Sequence, residues 1–370
     1  MASLKKGCLA RRLFPEGRSF FYFRGANAVY QAVKYLHIGV NDHVLMPSFH
    51  CGVEVEAVLK AKTNVHFYKM KENLEADLQD LEGRINPDTK AIFVIHYFGF
   101  PQKMDEIKKL CQKYKLWLIE DCAHALYSSY QNQYLGSFGD VSIFSLQKSL
   151  PICDGGALLV NQTKGIWKER PSKPNFMTTL RGMTLLRIEH IKMFYAPFYG
   201  LIDFLVVNPA RFVLRIIKKS GPRSLQVSVP SSAYFDLSQS SKGMSAFSKK
   251  IADSVEAESL VKRRRKNYQY LVEAIKNVNG VQVLFPLLAE GVCPLFLPIK
   301  VSDRGILKNR LEKAGVKTFI FGEFLHQDLE RGFDPLAETW SRHILCLPIH
   351  QDLTRTHLNF IAQCLKESVR

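Results

Sequence analysis

LIEDCAHALYSSYQNQYLGSFGDVSIFSLQKSLPICDGGALL, residues 118–159, is the stretch on which the fold turns. It opens with an apolar strand that ends in two carboxylates, Glu120 and Asp121, followed three residues on by His124. A second apolar strand, 141–146, leads to a single lysine, Lys148, and then to Asp154-Gly155-Gly156. Strands this short and apolar read as buried on both faces, which is the habit of a mostly parallel sheet.

The flanking sequence keeps the same rhythm. Ala28, Val29, Ala32, Val33 and Leu36 fall on one helical face, and helices are expected at 52–60 and 104–114. Strands are expected at 43–46, 65–68, 91–96, 116–119, 141–146 and 157–160. The fold class is therefore α/β, with a mostly parallel central sheet covered by helices. Ligands of such sheets collect beyond the carboxyl ends of the strands, where His96, Asp121 and Ser145 stand.

A chain of 370 residues suits two domains, here a large one at 1–245 and a smaller α+β one at 246–370. In the second, helices are expected at 246–270, 304–314 and 354–364, with strands at 281–285 and 295–301. At 46% hydrophobic and 23% charged residues the chain is globular rather than disordered. Eight scattered cysteines without a CxxC pair read as reduced core thiols, and clustered ligands for a metal are absent. The start, Met-Ala-Ser-Leu-Lys-Lys, lacks the apolar stretch of a secretory signal, so a cytoplasmic location is expected.

The formal charge of +17 is unevenly spread. Residues 164–223 hold twelve Lys and Arg against Glu169, Glu189 and Asp203, within a stretch at 164–240 that breaks the helix–strand rhythm. A basic surface attracts nucleic acid, anionic lipid or phosphorylated substrates, and charge alone does not choose among them. The longest apolar run there, 193–207, contains Asp203 and Pro197 and is shorter than the roughly 20 residues of a spanning helix.

Lys148 is the central candidate. A lysine after a buried strand is commonly a solvated loop residue, but this one follows Ser145 by three positions and stands downstream of a buried carboxylate. A lysine and a carboxylate are what pyridoxal phosphate requires: the amine bonds the aldehyde, and the acid keeps the pyridine nitrogen protonated. The S-x-x-K of serine β-lactamases wants S-D-N and K-T-G partners, and neither occurs. Asp121 also reads as an N-cap, and His124 as a structural turn residue. His50, in PSFHCG, is balanced between stacking on a cofactor ring and filling the core. Gly25-Ala26, within RGAN before a helix, offers backbone N–H groups to a phosphate.

These motifs resemble the DegT/DnrJ/StrS family of sugar aminotransferases, fold-type-I pyridoxal-phosphate enzymes. The resemblance rests on IEDCAHA, LGSFGDVSIFSLQK, DGGALL and the late LPIH around Pro348, and it spans most of the chain outside 164–240. It implies a large domain with a mostly parallel central sheet and a smaller C-terminal domain. By it, Lys148 matches the Schiff-base lysine, Asp121 the partner of the pyridine nitrogen, and His124 the contact to the ring oxygen. Ser145 and the Gly25-Ala26 amides match the phosphate-binding groups, and His50 falls close to the aromatic position over the ring. A homodimer, a nucleotide-linked keto-sugar substrate and glutamate as amino donor are implied as well.

Three features depart from the family pattern. The family places two more residues between its Phe-Ser pair and the lysine. Its Asn-Tyr-Arg-like segment, which reaches the neighbour's active site, falls near 241–245, where this chain reads SKGMS. The insertion at 164–240 is extra. A second functional class follows from it: a silent cofactor-binding regulator or membrane-associated scaffold, whose residues 183–219 lie on an anionic bilayer surface. The competing and favoured reading of that segment is a lid or dimer contact, since inserted helices usually pack on their own protein. The Arg263–Arg265 run reads as a solvated helix face and not a nucleic-acid site, since no aromatic platform accompanies it.

Overall fold

The computed structural model describes residues 13–162, 167, 169–174, 179–184, 186 and 235–369. Most of 183–219, and with it the expectation of a bilayer contact, lies outside the described residues. Among them, no helix is long and apolar enough to cross a membrane.

Seven strands make the central sheet: β1 (Ser19–Tyr22), β2 (His43–Pro47), β3 (Asn64–Tyr68), β4 (Thr89–Ile95), β5 (Trp117–Asp121), β8 (Val141–Ser145) and β9 (Gly156–Val160). Two short strands, β6 (Ser129–Tyr130) and β7 (Gln133–Tyr134), form a hairpin between β5 and β8. The order is β1-β9-β8-β5-β4-β2-β3, and the pairs from β3 through β8 are parallel. Only β9 runs against the rest, pairing antiparallel with both β8 and β1.

The central strands are buried along nearly their whole length because helices cover the sheet. Helix α1 (Gly25–Tyr35) turns Ala28, Val29, Ala32 and Val33 inward, and a further helix at Met104–Tyr114 buries Met104, Ile107 and Cys111, one per turn. The carboxyl ends of β5 and β8 lie side by side, with Asp121 registered against Ile143. That adjacency brings two distant parts of the chain into one crevice.

A second, three-stranded antiparallel sheet, β10 (Val281–Val283), β11 (Phe296–Val301) and β12 (Ile344–Pro348), carries the C-terminal helices. The single helix expected at 246–270 is two, Ala246–Ser254 and Ala257–Ile275. Val255 and Glu256 are extended between them. The break re-aims the second helix so that Leu260, Arg264, Tyr268, Leu271 and Ile275 are buried on one face. β1, β12 and the helix Pro335–His343 were not expected from periodicity. That helix starts where Asp334 caps Leu336 and Ala337.

Segment 241–245 lies against the edge of the large sheet. The N–H of Phe23 donates to Lys242, that of Met244 donates to Phe21, and Gly243 bridges Tyr22. Ser245 binds Asp154 through both its N–H, at 2.9 Å, and its hydroxyl, at 3.1 Å.

Candidate active site

Lys148 sits in a four-residue helical turn, Leu146–Ser149, directly after β8. Its Nζ is 3.0 Å from Nε2 of His124, which follows β5. The other ring nitrogen, Nδ1, accepts the Phe98 N–H at 3.4 Å. An amide N–H can only donate, so the proton of the neutral ring is assigned to Nε2; that N–H has an acceptor in Lys148 Nζ when the lysine is a free amine and none when it is an ammonium. The His124 ring stacks on Phe98 (centroids 5.8 Å apart, 22° between planes) and meets the Phe321 edge at 4.9 Å. Burial, and then the Lys148 charge, push its pKa well below the ordinary histidine value.

Asp121 ends β5 and is buried. Its Oδ1 accepts the Ala123 N–H at 2.7 Å, and among the described residues Oδ2 has no hydrogen bond. Burial raises its pKa; the Ala123 N–H and the nearby Lys148 charge oppose the rise. Glu120, one residue earlier, points through the other face of the sheet, as strand alternation requires. It accepts N–H groups from Gly136 (2.6 Å), Phe138 (3.0 Å) and Gly139 (2.9 Å), and lies 3.1 Å from His96 Nε2. Burial opposes its charge, yet His96 and these N–H groups hold its pKa below the usual range. His96, Glu120 and Cys122 stand close enough to ligate a metal, but the Glu120 oxygens are already committed to holding the 136–139 loop. His96 thus belongs to that network and not to the crevice.

Gly25 begins α1, whose first N–H groups have no side-chain cap. A Cβ on Gly25 would come within 3.2 Å of Ser145 Cβ and 3.5 Å of its Oγ, so the helix N-terminus rests on the buried serine. Gly156 permits this approach, since a Cβ there would meet the Arg24 carbonyl at 2.0 Å. Gly25, Ala26 and Ser145 together form a cradle of N–H and O–H donors suited to a phosphate.

His50 does not face the crevice. It is fully buried, with Nδ1 3.0 Å from the Pro47 carbonyl, Nε2 accepting the His326 N–H at 2.8 Å, and a stacked Phe67 on its face. Burial lowers its pKa to about 4. Both nitrogens are spent on backbone, so the ring locks the loop after β2 to the C-terminal part of the chain. The stacking expectation is corrected accordingly. The next residue, Cys51, feels the charges of Lys148 and Asp121, and so does buried Glu54, whose Oε1 accepts the Cys51 N–H at 2.7 Å. Sequence reasoning missed both; an acid in the first turn of the helix Val53–Lys60, just past the end of β2, was the available signal.

A lysine and a buried acid with an uncommitted oxygen share this crevice with an imidazole N–H and a phosphate-sized cradle. The donor set fits pyridoxal phosphate.

Residues 23–170 match the model of the DegT/DnrJ/EryC1/StrS aminotransferase family.

Two curated proteins are similar to part of this chain. A UDP-N-acetyl-3-dehydro-α-D-glucosamine 3-aminotransferase of Acidithiobacillus ferrooxidans is 36% identical over 139 residues, 37% of this chain and 38% of the relative. The GDP-perosamine synthase of Escherichia coli O157:H7 is 33% identical over 140 residues, 37% of this chain and 38% of the relative. The match thus spans little more than a third of the length of these curated relatives. Among solved structures, the aminotransferase TlmJ from Streptoalloteichus hindustanus superposes with a TM-score of 0.68 at 19% identity, covering 99% of this chain and 91% of that one. A DegT DnrJ EryC1 StrS aminotransferase from Brucella abortus gives 0.63 at 20% identity, covering 94% and 85%. The fold of the DegT/DnrJ/EryC1/StrS aminotransferases therefore extends beyond residue 170 into the C-terminal sheet.

Proposed function

We propose that this protein is a pyridoxal-phosphate-dependent aminotransferase that converts a nucleotide-linked keto-sugar to its amino-sugar, with glutamate as donor. In this reading it acts as a cytoplasmic homodimer in surface-polysaccharide or secondary-metabolite biosynthesis, with a cofactor-binding domain at 1–245 and a small domain at 246–370. The main support is the meeting of the Lys148 amine and the His124 ring, 3.0 Å apart, beside the buried acid Asp121. The named relatives, which act on UDP- and GDP-linked sugars, agree with it.

When bound, the cofactor supplies an electron sink for the carbanion formed on proton removal. The chain's residues do the rest. Lys148 Nζ would hold the cofactor aldehyde and, as a free amine, would take the proton from the substrate carbon and return it on the cofactor side. Asp121 Oδ2 would keep a proton on the ring nitrogen, and His124 Nε2–H would donate to the ring oxygen. Gly25, Ala26 and Ser145 would bind the phosphate. The positive excess of the chain suits a nucleotide diphosphate.

The test is a pair of half-reactions followed by absorbance. Glutamate should convert the spectrum of the cofactor-loaded protein to that of the aminated cofactor, and a nucleotide-linked keto-sugar should restore it. A loaded protein that responds to neither substrate would refute the proposal.

A further inference from the structure

The turn that carries Lys148 is only four residues long and is tied at its start, where the N–H of Leu146 donates to the Gly155 carbonyl at 2.8 Å. Its far end is held from another part of the molecule. Arg264, on the helix Ala257–Ile275, donates through Nη2 to the Ser149 carbonyl at 2.8 Å and through Nε to Gln351 Oε1 at 2.9 Å. Its neighbours Arg263 and Lys266 are exposed, as the sequence leads one to expect, but Arg264 is 1% exposed. A guanidinium in the interior is costly unless its N–H groups are committed. Here two of its groups go to neutral acceptors, one of them the carbonyl next to the lysine. Asn267, one turn on, donates to the His350 carbonyl at 2.8 Å, so the helix and the 349–351 segment act as one support.

We propose that Arg264 is a positioning residue for Lys148: it grips the end of the lysine's turn from the C-terminal part of the chain and adds a buried positive charge beside it. The proposal rests on Lys148 being the cofactor lysine. Tyr127, Cys293 and Asp352 also face Arg264, while Asp121, His124, Glu54 and Cys51 face Lys148. None of these changes when Arg264 is replaced. Loss of the cation favours the protonated form of a nearby nitrogen, so the pH midpoint of the lysine-bound cofactor's absorbance should rise.

Wild type, Arg264→Met and Arg264→Lys are compared after loading with pyridoxal phosphate. Arg264→Met should lower kcat about tenfold to a hundredfold, the effect of losing a charged hydrogen bond, with little change in KM for glutamate. Its pH midpoint should move up, and Arg264→Lys should return the midpoint to that of wild type. If Arg264→Met does not fold, Gln351→Leu loosens the same guanidinium without removing its charge, and should lower kcat with the midpoint unmoved. Wild-type kcat and midpoint in Arg264→Met, or in its absence wild-type kcat in Gln351→Leu, overturn the proposal. So does an unmoved midpoint in Arg264→Met with a kcat loss that follows a fall in Tm. A wild-type protein without the absorbance band overturns the site assignment as well.

Discussion

Lys148 Nζ and His124 Nε2 stand 3.0 Å apart although 24 residues separate them in sequence, because β5 and β8 are neighbouring parallel strands that end together. The contact sets the first prediction. His124→Gln keeps an N–H donor near the same place, whereas His124→Leu removes it. One hydrogen bond is worth roughly a factor of ten, so kcat should stay within about tenfold of wild type in the glutamine variant and fall further in the leucine variant. Steady-state kinetics of the two variants side by side would expose an equal loss, which would contradict the donor role.

Asp121→Asn removes the charge that holds a proton on the ring nitrogen and leaves the shape of the site. The expected loss is on the order of 10²–10³ in kcat, comparable to deleting a charge-stabilising group elsewhere. Cofactor retention should persist, because Gly25, Ala26, Ser145 and Lys148 are untouched. Spectroscopic titration with the cofactor separates the two effects, and a variant with undiminished kcat would remove Asp121 from the mechanism.

Glu120→Ala should act on stability. It strips the partners of Gly136, Gly139 and His96 in the interior, and of half-buried Phe138, at once. Truncating a buried charged partner costs about 3–5 kcal/mol, which a denaturant titration would record as a lowered midpoint. A change below about 1 kcal/mol would show that water replaces the carboxylate freely.

His50 makes stability pH-dependent in a definite direction. Its folded-state pKa is about 4, against an ordinary value of 6.5, because burial disfavours the charged ring. The unfolded chain therefore binds the proton first as pH falls. The stabilisation is complete above pH 6.5 and is lost as pH drops from 6.5 toward about 4, by an amount on the order of 3 kcal/mol. His50→Phe should flatten that part of the stability–pH curve. An unchanged slope between pH 6.5 and 4.5 would show that the proton is taken up elsewhere.

Two glycines should respond differently to an added methyl group. Gly156→Ala would place Cβ 2.0 Å from the Arg24 carbonyl, backbone against backbone, so the protein should be severely destabilised, by more than about 4 kcal/mol. Gly25→Ala meets Ser145 at 3.2 Å, where the side chain can give way. Its main effect should be weaker binding of the cofactor phosphate, read by equilibrium titration. Equal thermal stability in the two variants would contradict this packing.

Much of the large sheet was legible because its signals are local. The strands β2, β4, β5, β8 and β9 are continuous apolar runs, and the helix Met104–Tyr114 repeats its buried residues at helical spacing. β1 escaped notice because SFFY is half-buried and gains its place only by pairing with β9, more than a hundred residues later. The break at Val255–Glu256 left no strong mark either, since nothing there forbids helix. Past it, the second helix packs on β11 of the C-terminal sheet and on the last helix of the chain.

The sequence by itself determined the alternation of strand and helix, the placing of Asp121, His124, Ser145 and Lys148 at or just past strand ends, and the family resemblance of residues 23–170. Those features depend on side-chain period and short-range spacing. Tertiary structure decided that Cys51 and Glu54, not His50, share the electrostatic surroundings of Lys148, and that Arg264 is buried at the lysine's turn while Arg263 stays in water. Which way such a residue faces is fixed by the partner it meets. For His50 that partner is the backbone at His326, and for Arg264 it is the carbonyl of Ser149, both far along the chain.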